Sequence, residues 1–232
     1  MSDNNLIKNG FGLSGFTLKI VALITMIIDH TGAVLFPGIE EFRIIGRIAF
    51  PIYVFLVVEG VFHTSNIKRY LIRLLVFAAI SEIPFNLMVS NSIFNIHFQN
   101  VFFTLAIGVA MMWAMNVIAE KYMNPMLSTF CLLIALVVAW FAKVDYAAYG
   151  IALVYLFYCY RYQRIIACVG MAVASVVFGG IQWLAILSIP FILLYNGERG
   201  RVYLSGKWLK YSFYGLYPIH IMVLVLIRMI LK

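Results

Sequence analysis

The chain has 232 residues, of which 64% are hydrophobic and only 11% charged, a balance outside the range of water-soluble globular domains. Its net charge of +8 is carried by Lys and Arg residues flanking apolar runs, which argues against a nucleic-acid-binding module and fits a surface of anionic membrane lipid. The expected fold class is therefore all-α, a polytopic transmembrane helix bundle forming one integral membrane domain over residues 1–232.

The first apolar run, residues 17–36, is membrane length, since twenty residues at about 1.5 Å each span roughly 30 Å. It lacks a small-residue cleavage site and contains Asp29 and His30, so it reads as a resident helix rather than a removed leader. Eight more runs follow, at about 44–62, 69–89, 101–119, 126–142, 146–160, 164–178, 181–195 and 212–231. The sixth to eighth are short, and Gly179-Gly180 suits either a break or a re-entrant pair. The nine crossings place twelve Lys and Arg on one side and five on the other. By the positive-inside rule this puts the N-terminus in the cytoplasm and the C-terminus outside, in the inner (cytoplasmic) membrane. Cys131, Cys159 and Cys168 show no metal-type spacing and read as packing residues; no metal is expected.

Counting along each helix gives the depth of the polar residues. His30 and Glu82 each lie 13 residues from the inner end of their helices, roughly 20 Å up, with Arg43 and Arg47 just above on one helix face. A pocket lined by Asp29, His30, Arg43, Arg47 and Glu82 follows, with His220 and Tyr217 of the last helix beside it. Intramembrane ionisable groups of this kind face a bundle interior or a wet cavity and mark sites by default. At the inner end, Glu59 is expected to pair with Arg73, and Lys68, Arg69 and Arg73 offer positive charge to phosphates or lipid headgroups.

A neutral imidazole in such a pocket can take a proton from an amine or hydroxyl as it attacks a thioester, and His30 suits that general-base role. Asp29 points about 100° away from its neighbour and is expected to pair with Arg47, leaving Glu82 to hold the His30 tautomer, or the two acids exchange roles. No Ser, Cys or Thr motif argues for a covalent intermediate. A proton-coupled transporter uses the same residue types, although no internal repeat supports it. A non-enzymatic assembly factor for small membrane peptides is the other alternative.

The stretches LKIVALITMIIDHTGAVLFP, RIIGRIAFPIYVFLVVEGVFHT, KRYLIRLLVFAAISEIPFNL, NVFFTLAIG and YPIHIMVLVLI resemble the TraX family of membrane proteins, with IDHxG and ISEIPF the most specific strings. The middle of the chain adds only DYxxYG at Asp145–Gly150. The resemblance implies a membrane acetyltransferase related to acyltransferases that use acetyl-CoA, with a pilin N-terminus, another small peptide or a glycan as acceptor. It makes His30 the base, with Asp29, Arg43, Arg47, Glu59 and Glu82 in family-like strings; the expected site is then His30, Asp29 and Glu82 for catalysis, Arg43, Arg47, His220 and Tyr217 for the acceptor, and Lys68, Arg69 and Arg73 for the donor. A pantetheine arm of roughly 15–20 Å would then have to climb from the inner basic loops to His30, so a tunnel between Arg73 and His30 is expected.

Overall fold

The computed structural model describes residues 12–122, 125–200 and 207–231. Lys8, Arg201 and Lys232 lie outside these residues, as do the side chains of Lys207 and Lys210. The described residues form helices throughout: α1 (Gly15–Leu35), α2 (Glu40–Gly46), α3 (Ala49–Phe62), α4 (Ile67–Ser90), α5 (Val101–Tyr122), α6 (Pro125–Phe141), α7 (Ala147–Cys159), α8 (Arg164–Phe178), a 3₁₀ segment (Gly180–Ser188) running into α9 (Ile189–Leu193), and α10 (Lys207–Ile230). With α2 continued by α3 and the 3₁₀ segment by α9, nine helical segments are described. Five of them, 15–35, 40–62, 67–90, 101–122 and 211–230, are long and apolar enough to cross a membrane, and the chain is a multi-pass membrane protein.

Local chemistry sets the boundaries. Ser14 caps α1 by accepting from the Thr17 amide at 3.2 Å, and Asn66 caps α4 by accepting from the Arg69 amide at 2.9 Å, each satisfying an orphan donor of the first turn. The second pass begins four residues earlier than expected and is broken at Arg47-Ile48. Pro51 explains the break, because it has no amide hydrogen for the Arg47 carbonyl and its ring crowds that oxygen. Gly179 and Gly180 hold φ of +66° and +56°, a left-handed pair that ends α8 and turns the chain into the 3₁₀ segment.

Close helix approach depends on missing side chains. A Cβ on Gly108 would fall 2.8 Å from Val154, and one on Gly150 would fall 2.6 Å from Thr104, so these two glycines bring α5 and α7 together. The core that results runs through Leu18, Ile52, Val58, Leu74, Met112, Ile151 and Met171, each at most 1% exposed. The outward faces of α4, α6 and α8 are apolar and exposed, as at Ile72, Ile80, Ile134 and Val177, the pattern of surfaces that meet lipid.

Contacts between loops mark two ends of the bundle. At one end the Gly15 and Phe16 amides donate to the Glu198 and Arg199 carbonyls, and the Arg199 side chain donates to the His63 carbonyl at 3.2 Å. Lys19, Lys68, Arg69 and Arg164 lie on the helix turns nearest this end. At the other end the loops before α5 and α7 are tied by Gln99 and Asp145, whose amides donate to the Lys143 and Gln99 carbonyls at 3.0 and 2.8 Å. There Arg228 of α10 also donates to the Leu87 and Met88 carbonyls and to Asn91 Oδ1 at 2.7–3.1 Å, a cationic cap on the last turn of α4.

Candidate functional site

The polar residues of α1 and α2 meet at the end opposite the lysine-rich one. Asp29 is 7% exposed and accepts from two guanidiniums, Arg43 Nη1 at 2.7 Å on one oxygen and Arg47 Nη2 at 2.8 Å on the other. Arg43 and Arg47 are four residues apart, so one helical face delivers both. Two glycines make the approach possible. A Cβ on Gly32 would lie 2.3 Å from Phe42, and one on Gly46 would lie 2.0 Å from Asp29 Oδ1. The IDHTG and RIIGR strings are thus two halves of one contact.

Two arginines against one aspartate leave an excess positive charge, and Asp145 from the α6–α7 connection is the acid nearest to offsetting it, lying within electrostatic reach of Arg47 and Arg43. Burial pushes the Asp145 carboxyl up to about 6 while Arg47 pulls it back. Its backbone carbonyl accepts from the Thr104 hydroxyl, and its Oδ1 accepts from the Tyr146 amide at 2.9 Å. Tyr146 sits at φ +59°, unusual for an aromatic residue. It is held there between Phe50, 3.6 Å away ring to ring, and Arg47, 5.8 Å from its ring. Sequence reading found DYxxYG but could not attach it to Arg47, since only the fold brings residues 47 and 145 together.

His30 faces His220, not an acid. The two rings are coplanar within 2°, with Nδ1 of His30 at 2.6 Å from Nε2 of His220. His220 Nδ1 is 2.6 Å from the Leu216 carbonyl, which can only accept, so this nitrogen carries hydrogen. In the neutral pair His220 Nε2 is then the acceptor and His30 Nδ1–H the donor, leaving the lone pair of His30 on Nε2. Tyr217, 4% exposed, sets its ring edge-on to both imidazoles at 5.9 Å.

Several expectations are corrected. Glu82 does not hold His30; its Oε2 accepts from Asn100 Nδ2 at 2.6 Å, because Asn100 caps α5 and reaches across to α4. Glu59 does not pair with Arg73; it accepts from Arg161 Nε at 3.0 Å, brought in by the turn after α7. Arg73 stands over Tyr70 at 5.3 Å, within electrostatic reach of Tyr214. Lys68 lies 5.5 Å over Trp113, and Arg69 is exposed. Arg47 is 5% exposed and fully engaged, so of the two arginines Arg43 is the one open to a ligand. It borders a cleft of about 600 Å³ lined also by Glu40, Ile44, Ile181, Trp183 and Leu184.

The expected tunnel from Arg73 to His30 is filled. Tyr214 stacks on Phe77 at 5.1 Å and meets Phe102 at 6.1 Å, Phe102 meets Tyr217 at 5.0 Å, and Tyr217 meets His30. A continuous file of rings therefore occupies the interval. Among the described residues no group of three or more His, Cys, Asp or Glu is arranged to hold a metal.

The chain is 27% identical over 248 residues to a probable fimbrial assembly protein FimC, serogroup H1, of Dichelobacter nodosus, covering 94% of this chain and 97% of that one. It is 22% identical to an uncharacterised protein of Rickettsia prowazekii (strain Madrid E), covering 89% of each. No solved structure matches. The family model described as TraX protein matches residues 14–228, from the cap of α1 to the arginine that closes α4, and the chain belongs to the TraX family.

Proposed function

We propose that the protein is a membrane acetyltransferase that moves the acetyl group of acetyl-CoA to an amine or hydroxyl of a small membrane peptide such as a pilin, with His30 as general base. The observation that carries this reading is the Leu216–His220–His30 chain, which fixes the tautomer of His30 and leaves Nε2 with the lone pair. As the acceptor nitrogen attacks the thioester carbon, its proton passes to His30 Nε2, the new C–N bond forms, and the C–S bond breaks. The proton then returns to the departing CoA thiolate. The fimbrial assembly name of the Dichelobacter relative supports a pilin-type acceptor.

The Lys- and Arg-rich end with Lys68 and Arg69 supports placement in the cytoplasmic membrane with that end, and the N-terminus, inside. A donor arriving there meets the ring file, so access to His30 requires Tyr214 to swing away from Phe77 and Phe102. The same ring file favours a second reading, a non-enzymatic assembly factor that binds its peptide at the Arg43 and Trp183 cleft. The two are separated by free CoA release from acetyl-CoA by purified protein with an acceptor peptide, wild type beside His30→Ala. Release that depends on His30 supports the enzyme; peptide binding without release, indifferent to His30→Ala, supports the assembly factor.

A further inference from the structure

A second polar cluster, on α4, is not used by the chemistry above. Glu82 and Asn86 are one turn apart on the same helix face, and the Asn86 side chain lies beside the Glu82 carboxylate. Asn100 donates to Glu82 Oε2 at 2.6 Å and to the Ala78 carbonyl at 2.8 Å. Asn86 is 1% exposed, and its Nδ2 donates to the Ile93 carbonyl at 3.2 Å, which fixes which end of the amide is oxygen. Glu82 Oε1 and Asn86 Oδ1 are both buried and accept no hydrogen bond among the described residues, and Ser81 Oγ on the same turn is likewise without a partner. No Lys, Arg or His among the described residues reaches Glu82 within ion-pair distance.

Buried acceptors of this kind need a donor or a cation, and an uncompensated carboxylate inside a membrane bundle is costly. The available atoms are all oxygens, with no thiolate or imidazole, a set that suits a hard cation. A single carboxylate balances a single positive charge. Pro84, between the two residues, has no amide hydrogen to donate to the Ile80 carbonyl, which removes one more donor from this stretch of α4. We infer that Glu82 and Asn86 bind a monovalent cation, the chemistry shared by sodium and a primary ammonium. In the ammonium case the site rests on the proposed function and receives the acceptor's amine before it loses its proton. Tyr217, within electrostatic reach of Glu82 and edge-on to His30, is then the link between the two clusters.

The test needs no turnover, so it stands or falls apart from the acetyltransferase reading. Purified full-length protein in detergent is melted in NaCl, methylammonium chloride and choline chloride at constant ionic strength. A saturable rise in Tm of about 5 °C with sodium or methylammonium, and none with choline, is expected. Selectivity for sodium marks an inorganic ion, and selectivity for methylammonium marks an amine subsite. Glu82→Gln should abolish the rise and Asn86→Ala should weaken the apparent affinity at least tenfold, the second variant serving should the first not fold. No rise in wild type, or an equal rise in whichever variants fold, overturns the proposal and assigns Glu82 a proton instead.

Discussion

Gly46 and Asp29 are packed so closely that the absence of a side chain on one is a condition for the placement of the other: a Cβ at 46 would stand 2.0 Å from Asp29 Oδ1. Gly46→Ala should therefore displace the carboxylate from Arg47 and leave charge buried without its partner. Loss of about 3–5 kcal/mol is expected, the usual cost of breaking a buried pair. Asp29→Asn should cost a similar amount, and the two changes together little more than either, since both remove one arrangement. Unfolding of the single and double variants in detergent checks this; additive losses would mean that Gly46 serves some other contact.

In the proposed mechanism His220 acts only through its hydrogen bond to His30. His220→Ala should lower kcat for acetyl transfer by about 10- to 100-fold with little change in KM, the range seen when a group that orients a catalytic imidazole is removed. His30→Ala should lose about 10² to 10⁴. A His220→Ala enzyme with unaltered kcat would show that the tautomer of His30 is set elsewhere.

The ion pair at the lysine-rich end gives a clean comparison between partners. A double-mutant cycle on Glu59 and Arg161, whose side chains are 14% and 19% exposed, should return a coupling of about 1.5–3 kcal/mol, as for a hydrogen bond between charged groups. The cycle on Glu59 and Arg73 should return less than about 0.5 kcal/mol. The reverse ranking would restore the pairing expected from the hairpin alone.

Asp145, in the α6–α7 connection, has its carboxyl raised from 3.8 to about 6. The folded form thus binds the proton more tightly than the unfolded chain, so the contribution of this group is intact below about pH 4 and is lost as pH rises through 6. At about 1.4 kcal/mol per unit, the loss is at most about 3 kcal/mol. Asp145→Asn should melt higher than the parent at pH 7 and show a flatter profile between pH 4 and 6. Equal slopes for the two proteins would count against the buried, proton-retaining carboxyl.

Helix positions were legible in the sequence because membrane length and apolar runs are one-dimensional signals. Depth was also legible, since the rise per residue is constant, and counting brought Asp29, Arg43 and Arg47 to one level. Azimuth was not. Counting cannot say which helix stands beside which, and this accounts for His30 meeting His220 rather than Glu82, and for Glu59 meeting Arg161 rather than Arg73. Asp145 escaped for a further reason: it lies in a short connection, where neither period nor depth applies, and its tie to Arg47 exists only across helices nearly a hundred residues apart. The break at Arg47-Ile48 was readable in retrospect from Pro51, by its missing amide hydrogen.

Asp29 is 14 and 18 residues from its two arginines in the chain, whereas His220 follows His30 by 190. A ribosome therefore delivers the means of fixing His30 long after the partners of Asp29. A chain halted before α10 would carry Asp29 with both its arginines and an imidazole without the partner that sets its tautomer. The pairing that fixes His30 thus waits on α10, which Arg228 ties to the last turn of α4.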